Sequence, residues 1–355
     1  MNTNFLPGYM SRNSSAANRM QVATWLLICA LLVLMVAVLG GVTRLTHSGL
    51  SMVTWEPLTG IIPPLSEESW MSEFLHYQKF PEFQKINWNM NLEGFKSIFW
   101  LEYAHRLFAR LIGITFALPL IFFLSIRCLE KSFALKLFGV FLLGGLQGVL
   151  GWLMVASGLI DHPDVSHYRL TAHLGLAVLI YIIILWLFLR VCIPVRPSSA
   201  NKEIPRYFGN LTLVLIGLVY LLILSGGLVA GLDAGFAYNT FPKMDEQWIP
   251  EGLFSQNPFD SIEGVQFIHR WLGMSVGIFL ILVCVRGVRI NPPRPLGLSL
   301  QVVILTTITQ GTLGILTLIN VVPITLAALH QGTALILLAG VVTTAYLSQN
   351  HLKAR

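Results

Sequence analysis

Residues 295–352 read PLGLSLQVVILTTITQGTLGILTLINVVPITLAALHQGTALILLAGVVTTAYLSQNHL, 58 positions without a Lys, Arg, Asp or Glu. A helix needs about 20 apolar residues to cross a hydrocarbon core about 30 Å thick. The stretch is too long for one crossing and right for two. Asn320-Val-Val-Pro323 supplies the break, since proline cannot continue a helix.

The same test applies outward along the chain. Uncharged runs of 24, 24, 20 and 26 residues lie between Arg19 and Arg44, Lys136 and Asp161, Arg169 and Arg190, and Arg206 and Asp233. Two more spans open with polar residues embedded: about 100–126, carrying Glu102, His105, Arg106 and Arg110, and about 264–285, carrying His269 and Arg270. The total is eight. Composition agrees, with 55% apolar and only 11% charged residues where a soluble domain has about 25% charged. A water-soluble globule and a disordered chain are both excluded. The polar start, MNTNFLPGYMSRNSSAANRMQ, has no apolar core of a cleaved signal, so the first span is expected to be retained.

The net charge of +6 is a topology signal and not a nucleic-acid signal. With both termini inside, fourteen of the 23 Lys and Arg fall on inner segments, including Arg12, Arg127, Arg196, Lys202, Lys353 and Arg355. Only Glu130 and Glu203 of the 17 acids do so. The four cysteines, Cys29, Cys128, Cys192 and Cys284, form no CxxC and suggest neither a disulfide framework nor a zinc site.

The chain reads as a duplicated unit. GGVTRLTHSG (40–49) matches GGLVAGLDAG (226–235); EYAHR (102–106) matches QFIHR (266–270); QGVLG (147–151) matches QGTLG (310–314); AHLG (172–175) matches LHQG (329–332). The order is kept and the offsets drift only across loops. The expected fold is therefore an all-α polytopic membrane protein, with eight transmembrane helices in two tandem, pseudo-symmetric four-helix bundles. The expected divisions are a cytoplasmic tail 1–21, a first bundle 22–192 with a long outer loop about 45–98, and a cytoplasmic linker 193–206. A second bundle 207–347 has an outer loop about 232–263, and a cytoplasmic tail covers 348–355.

Four histidines lie at one depth near the outer surface, one on each even-numbered span: His105, His173, His269 and His330. An intramembrane ionisable side chain is costly and normally faces the bundle interior with a function. A single such histidine could equally make a helix–helix hydrogen bond or a proton relay. Four in two matched pairs point to two irons, each held between two imidazoles. Zinc or copper would require further N or S ligands. Gly144, Gly145, Gly148, Gly151, Gly175, Gly311, Gly314 and Gly332 fit close approach of a flat macrocycle, or ordinary small-residue helix packing. Arg106 and Arg270 each follow a histidine and could pair a haem propionate or snorkel to the interface. His47, His76, His162, His167 and His351 read as loop or solvated residues, and Trp55, Trp70, Trp88, Trp100 and Trp248 as interfacial belts. The halves differ at one position. Glu102 sits one turn before His105, while Gln266 precedes His269 and cannot titrate, so only the first half has a carboxylate for proton chemistry.

These segments resemble the haem A synthase family. The motifs are residues 40–57 (GGVTRLTHSGLSMVTWEP), EYAHR (102–106), YRLTAH (168–173), FIHRW (267–271) and LHQG (329–332), and the likeness spans nearly the whole chain. It implies oxidation of the C8 methyl of haem O to a formyl group, by two hydroxylations and a dehydration. It implies substrate haem O at His105 and His173, cofactor haem b at His269 and His330, and Glu102 as the catalytic acid. It implies a bacterial inner-membrane location with the haem sites on the periplasmic side. A haem O synthase would donate the substrate and an electron partner remains unidentified; lipid surrounds the protein, nucleic acid is not a partner, and self-association is open. The first outer loop lacks the cysteine pair of one family branch, and the chain looks like the branch shared by proteobacteria and mitochondria. A di-haem cytochrome exchanging electrons with quinol, and a haem transporter, are the alternatives.

Overall fold

The computed structural model describes residues 10–11, 15–55, 60–160, 163–193, 204–253, 255 and 257–350. His162, His351, Arg12, Arg196, Lys202, Glu203, Lys353 and Arg355 lie outside the described residues. The elements are α1 (Ala16–Leu45), α2 (Glu67–Tyr77), α3 (Pro81–Lys85), α4 (Leu92–Ser125), α5 (Lys131–Gly158), α6 (His167–Cys192), α7 (Arg206–Gly231), α8 (Ile262–Arg289), α9 (Arg294–Ile319) and α10 (Ile324–Asn350). Eight of them, all but α2 and α3, are long and apolar enough to cross a membrane. Among the described residues there is no strand, only two isolated bridges. The break expected at 320–323 falls between α9 and α10.

Polar side chains start the helices. Ser15, Asn91, Ser166 and Ser261 each accept a hydrogen bond from a backbone N–H of the first turn, satisfying a donor that has no partner within the helix. Arg19 caps the other end of a neighbour: its Nε and Nη2 donate to the carbonyls of Val191 and Cys192 at 2.7 and 2.8 Å, where α6 runs out of N–H donors for its last carbonyls. Pro119 lies inside α4 and leaves the Thr115 carbonyl without its usual N–H. Trp25 Nε1 of α1 fills that place at 2.8 Å.

The four spans α1, α6, α7 and α10 pack on one another as the centre, with α4 and α5 flanking one side and α8 and α9 the other. The main buried core runs through them, from Trp25, Leu26 and Cys29 to Tyr181, Ile184, Leu215, Leu338 and Tyr346. The halves are tied where α1 and α7 end by an ion pair, Arg44 to Asp233 at 2.8 Å, and between α1 and α10 by Gln331 Nε2 donating to the Ala37 carbonyl at 2.8 Å.

The outer segment 45–98 corrects the expectation of a long loop. It contains α2 and α3, and α4 begins at Leu92, eight residues before the expected start of that span. The 34 residues of α4 make a rod about 50 Å long, longer than a hydrocarbon core about 30 Å thick requires. The cause is a second apolar cluster: Val53, Trp70, Phe74, Tyr77, Phe95, Phe99 and Tyr103 bury one another. Trp70 is thus 9% exposed and a core residue, whereas Trp88 is 70% exposed. The sequence pattern, mixed aromatic and acidic, hides this small core because neither its helices nor its buried face is long enough to set a period.

Candidate functional site

His105, His173, His269 and His330 lie on α4, α6, α8 and α10. Each imidazole rests against a glycine of another span of its own half. A Cβ placed at Gly40, Gly151, Gly226 or Gly314 would stand 2.8, 2.9, 3.2 or 2.8 Å from the Cε1 of His105, His173, His269 or His330. The spans that carry these glycines are α1, α5, α7 and α9, so one relation recurs four times. Gly40 and Gly226 were not among the glycines singled out from the sequence, although both stand in the duplicated GG motif. Of those that were, Gly144, Gly145, Gly148 and Gly311 face open space, with nothing within 4 Å of a Cβ. Gly175 and Gly332 meet side chains of neighbouring spans, which is helix packing.

The rings of His269 and His330 have centroids 6.4 Å apart and planes at 90°. Two imidazoles that share a metal at about 2 Å each place their centroids roughly 6 Å apart, so this pair has the spacing to share one iron. Among the described residues no group of three or more His, Cys, Asp or Glu could hold a metal. Two-nitrogen sites of this kind suit an ion that brings its other ligands with it, as a haem iron does. Gln147 Oε1 and Gln310 Oε1 are buried without partners, and polar atoms so placed are costly unless something satisfies them. The residues fit the group.

The second members of the pairs share a further feature. Gln147 Nε2 lies 3.1 Å from His173 Nδ1 and donates to its carbonyl at 2.9 Å; Gln310 Nε2 lies 3.1 Å from His330 Nδ1. Both glutamines open the duplicated QGxLG segment, a signal present in the sequence but not read as a contact to histidine. Ser225, also missed there, has its Oγ 2.8 Å from His269 Nδ1.

Glu102 is 2% exposed. Its Oε2 accepts from Ser51 Oγ at 2.7 Å and from the Met52 N–H at 2.8 Å. Its Oε1 accepts from Arg106 Nε at 3.0 Å and Nη2 at 2.6 Å. Arg106 also donates to the carbonyls of Thr54 and Met52 at 2.9 and 2.6 Å. The carboxylate and guanidinium together pin residues 51–54 over the first half. The second half repeats the device without the charge. Gln266 Nε2 donates to the carbonyls of Ala234 and Ala237. Arg270 donates to those of Tyr238, Thr240, Pro242 and Lys243 and to Gln266 Oε1. Arg106 and Arg270 are therefore first of all clamps on outer loops, a role absent from the sequence reading. Arg106 also lines a cavity of about 410 Å³ with Met52, Ile62, Tyr103 and Arg110, and Arg270 Nε is buried without a partner.

The other described histidines, His47, His76 and His167, stand apart from these pairs. His167 Nε2 lies 3.1 Å from Asp260, His76 packs on Phe80, and His47 is exposed at the end of α1. Trp55 stacks on Trp152, centroids 5.3 Å apart, beside the glycine that backs His173.

Comparison with known proteins matches residues 23–342 to the family described as cytochrome oxidase assembly protein, COX15-CtaA. The chain is 47% identical to a haem A synthase of Nitrosospira multiformis, over 93% of this chain and 92% of that protein. It is 41% identical to one of Nitrosomonas eutropha, over 94% and 95%, and 42% identical to one of Mesorhizobium japonicum, over 93% and 91%.

Proposed function

Because the chain belongs to the COX15-CtaA family of cytochrome oxidase assembly proteins, we propose that it is a haem A synthase, a multi-pass membrane oxidoreductase that converts the C8 methyl of haem O to the formyl group of haem A. The observation that carries the reading from the structure is the one-sided carboxylate. Both halves hold two half-buried imidazoles, but only the first places an ionisable acid, Glu102, one turn from a ligand, where the second has Gln266.

His105 and His173 hold the substrate haem, and His269 and His330 hold a haem b whose iron supplies one-electron chemistry when bound. Removing hydrogen from a methyl group releases protons, and Glu102 is the group placed to take them. Ser51 Oγ, hydrogen-bonded to Glu102 Oε2, offers the next position for a proton that leaves. Arg106 and Arg270, by their remaining donors, are the groups we assign to haem propionates. The loops they pin cover the outer ends of the spans and keep water from the reacting methyl. The chain lies in a bacterial inner membrane with both termini in the cytoplasm and the haem pairs toward the periplasm. A haem O synthase delivers the substrate, and a separate redox partner exchanges electrons with the haem b. One ligand per span at matched level argues against haems stacked across the membrane for transmembrane electron transfer.

Two measurements test this reading. Membranes that contain the chain and a source of haem O are extracted and the haems separated by chromatography. Haem A is expected; haem O alone at normal protein level overturns the reading. Purified His269→Ala and His330→Ala proteins should lose a low-spin b-type haem, and an unchanged haem spectrum in both removes the assignment of the second pair.

A further inference from the structure

The second half holds its first histidine with a side chain that the first half lacks. Ser225 Oγ lies 2.7 Å from the Leu222 carbonyl and 2.8 Å from His269 Nδ1. A hydroxyl has one proton to give and a carbonyl can only accept. The Ser225 proton therefore goes to Leu222, and its oxygen faces the imidazole as an acceptor. His269 Nδ1 must carry the hydrogen of that contact. In the neutral ring this leaves the lone pair on Nε2, the nitrogen then free for a metal. Ser225 is 6% exposed, so little water competes for the bond.

The duplicated glycine pairs, Gly40-Gly41 and Gly226-Gly227, place Leu39 where Ser225 stands. Leucine offers no acceptor, so the hydrogen bond left to His105 is to the Val36 carbonyl, at the position that matches Leu222. The rest of the two surroundings matches: a glycine behind each ring and a glutamine on each opposite histidine. Each first histidine has a backbone carbonyl at the matching position, Val36 for His105 and Leu222 for His269; only His269 has a hydroxyl on its Nδ1 as well.

We propose that Ser225 is a positioning residue that tightens the hold on haem at His269/His330, and that Leu39, which gives His105 no such hydroxyl, leaves His105/His173 the site that takes up and releases haem. This rests on the ligand assignment given under the proposed function. A ligand whose outer N–H is hydrogen-bonded is also the better electron donor to its metal, so Ser225 should favour the ferric state of the haem it supports.

The full-length protein, purified in detergent from cells that also make haem O, is the material for the test. Haem loss to excess apomyoglobin and the midpoint potential of the b-type haem are measured for the wild type, Ser225→Ala, Ser225→Thr, Leu39→Ser and His269→Ala. Loss of an outer hydrogen-bond partner commonly weakens metal binding about 10- to 100-fold. Ser225→Ala should therefore weaken retention of the b-type haem by a factor in that range and raise its potential. Ser225→Thr, which keeps the hydroxyl, should restore both. Leu39→Ser should slow release of the other haem. A wild-type rate and potential in Ser225→Ala, where His269→Ala has lost its haem, overturns the inference and leaves the ligands standing. Unchanged release from Leu39→Ser overturns the second part even if Ser225→Ala does not fold. Retention of an unchanged b-type haem by His269→Ala instead overturns the ligand assignment itself.

Discussion

A single methyl group measures how closely each imidazole is held. A Cβ at Gly40 would stand 2.8 Å from His105 Cε1, and one at Gly226 would stand 3.2 Å from His269 Cε1. The first distance is too short for any carbon contact, so the ring or the helix must move; the second needs a shift of a few tenths of an ångström. Overpacking of this kind costs about 1–3 kcal/mol. Gly40→Ala should therefore abolish or strongly weaken haem binding by the first half, while Gly226→Ala keeps most of the b-type haem. Haem-to-protein ratios of the two purified variants check this, and an equal loss in both would contradict it. The sequence carried the histidines, Glu102 and the duplicated glycines in plain view. It could not carry Ser225 or Gln147 as contacts, because a serine or glutamine in an apolar span reads the same whether it bonds its own helix or a neighbour's imidazole.

At the scale of elements, the short helices α2 and α3 form a cap that the first half has and the second lacks. Its weak point is Glu82, 4% exposed, which accepts from Tyr77 Oη at 2.9 Å; Asn87 Nδ2 donates to the same Tyr77 Oη at 2.8 Å. Burial is the main cause that pushes the Glu82 carboxyl up to about 7; the carboxylates of Glu102 and Asp164 add to it, while the Tyr77 hydrogen bond and Arg44 oppose it. A carboxyl held above its unfolded value of 4.5 binds its proton more tightly in the folded state. The cap is then unpenalised below pH 4.5, loses stability as pH rises toward 7, and bears the full cost above it. That cost is about 3 kcal/mol. Glu82→Gln keeps an acceptor for Tyr77 and cannot ionise. It should raise hydrogen-exchange protection across residues 67–91 at pH 8 and leave it unchanged near pH 4. Equal protection gains at both would contradict the titration of Glu82. The spans themselves were legible because a run of uncharged residues and a membrane's thickness fix a helix without reference to packing. The cap was not legible, because its helices are stabilised by aromatic contacts with α4 and by the Ser66–Ser69 capping box, neither of which shows as a long period.

For the whole molecule, an even number of spans and the distribution of Lys and Arg lead us to propose that both chain ends lie on one side. Reporter fusions after Arg355 and within residues 70–90 should lie on opposite sides of the membrane, and same-side signals would overturn the arrangement. Within it, α1, α6, α7 and α10 join the halves, and the Arg44–Asp233 pair locks their outer ends together. The two halves present similar sites that differ at Glu102/Gln266 and Leu39/Ser225. In the reading we propose, the first half, with its acid, does the chemistry, and the second, with Ser225 on His269, serves as the electron-transfer haem.

That division is tested most directly by Glu102→Gln. The amide keeps the side chain's shape, which Gln266 shows to be compatible with the same place in the fold. The haems of membranes containing this variant and a haem O source are extracted and separated by chromatography. The expected result is a normal level of protein with its b-type haem bound, haem A lost, and haem O or its hydroxymethyl form accumulated. A normal yield of haem A at a normal protein level would contradict the account.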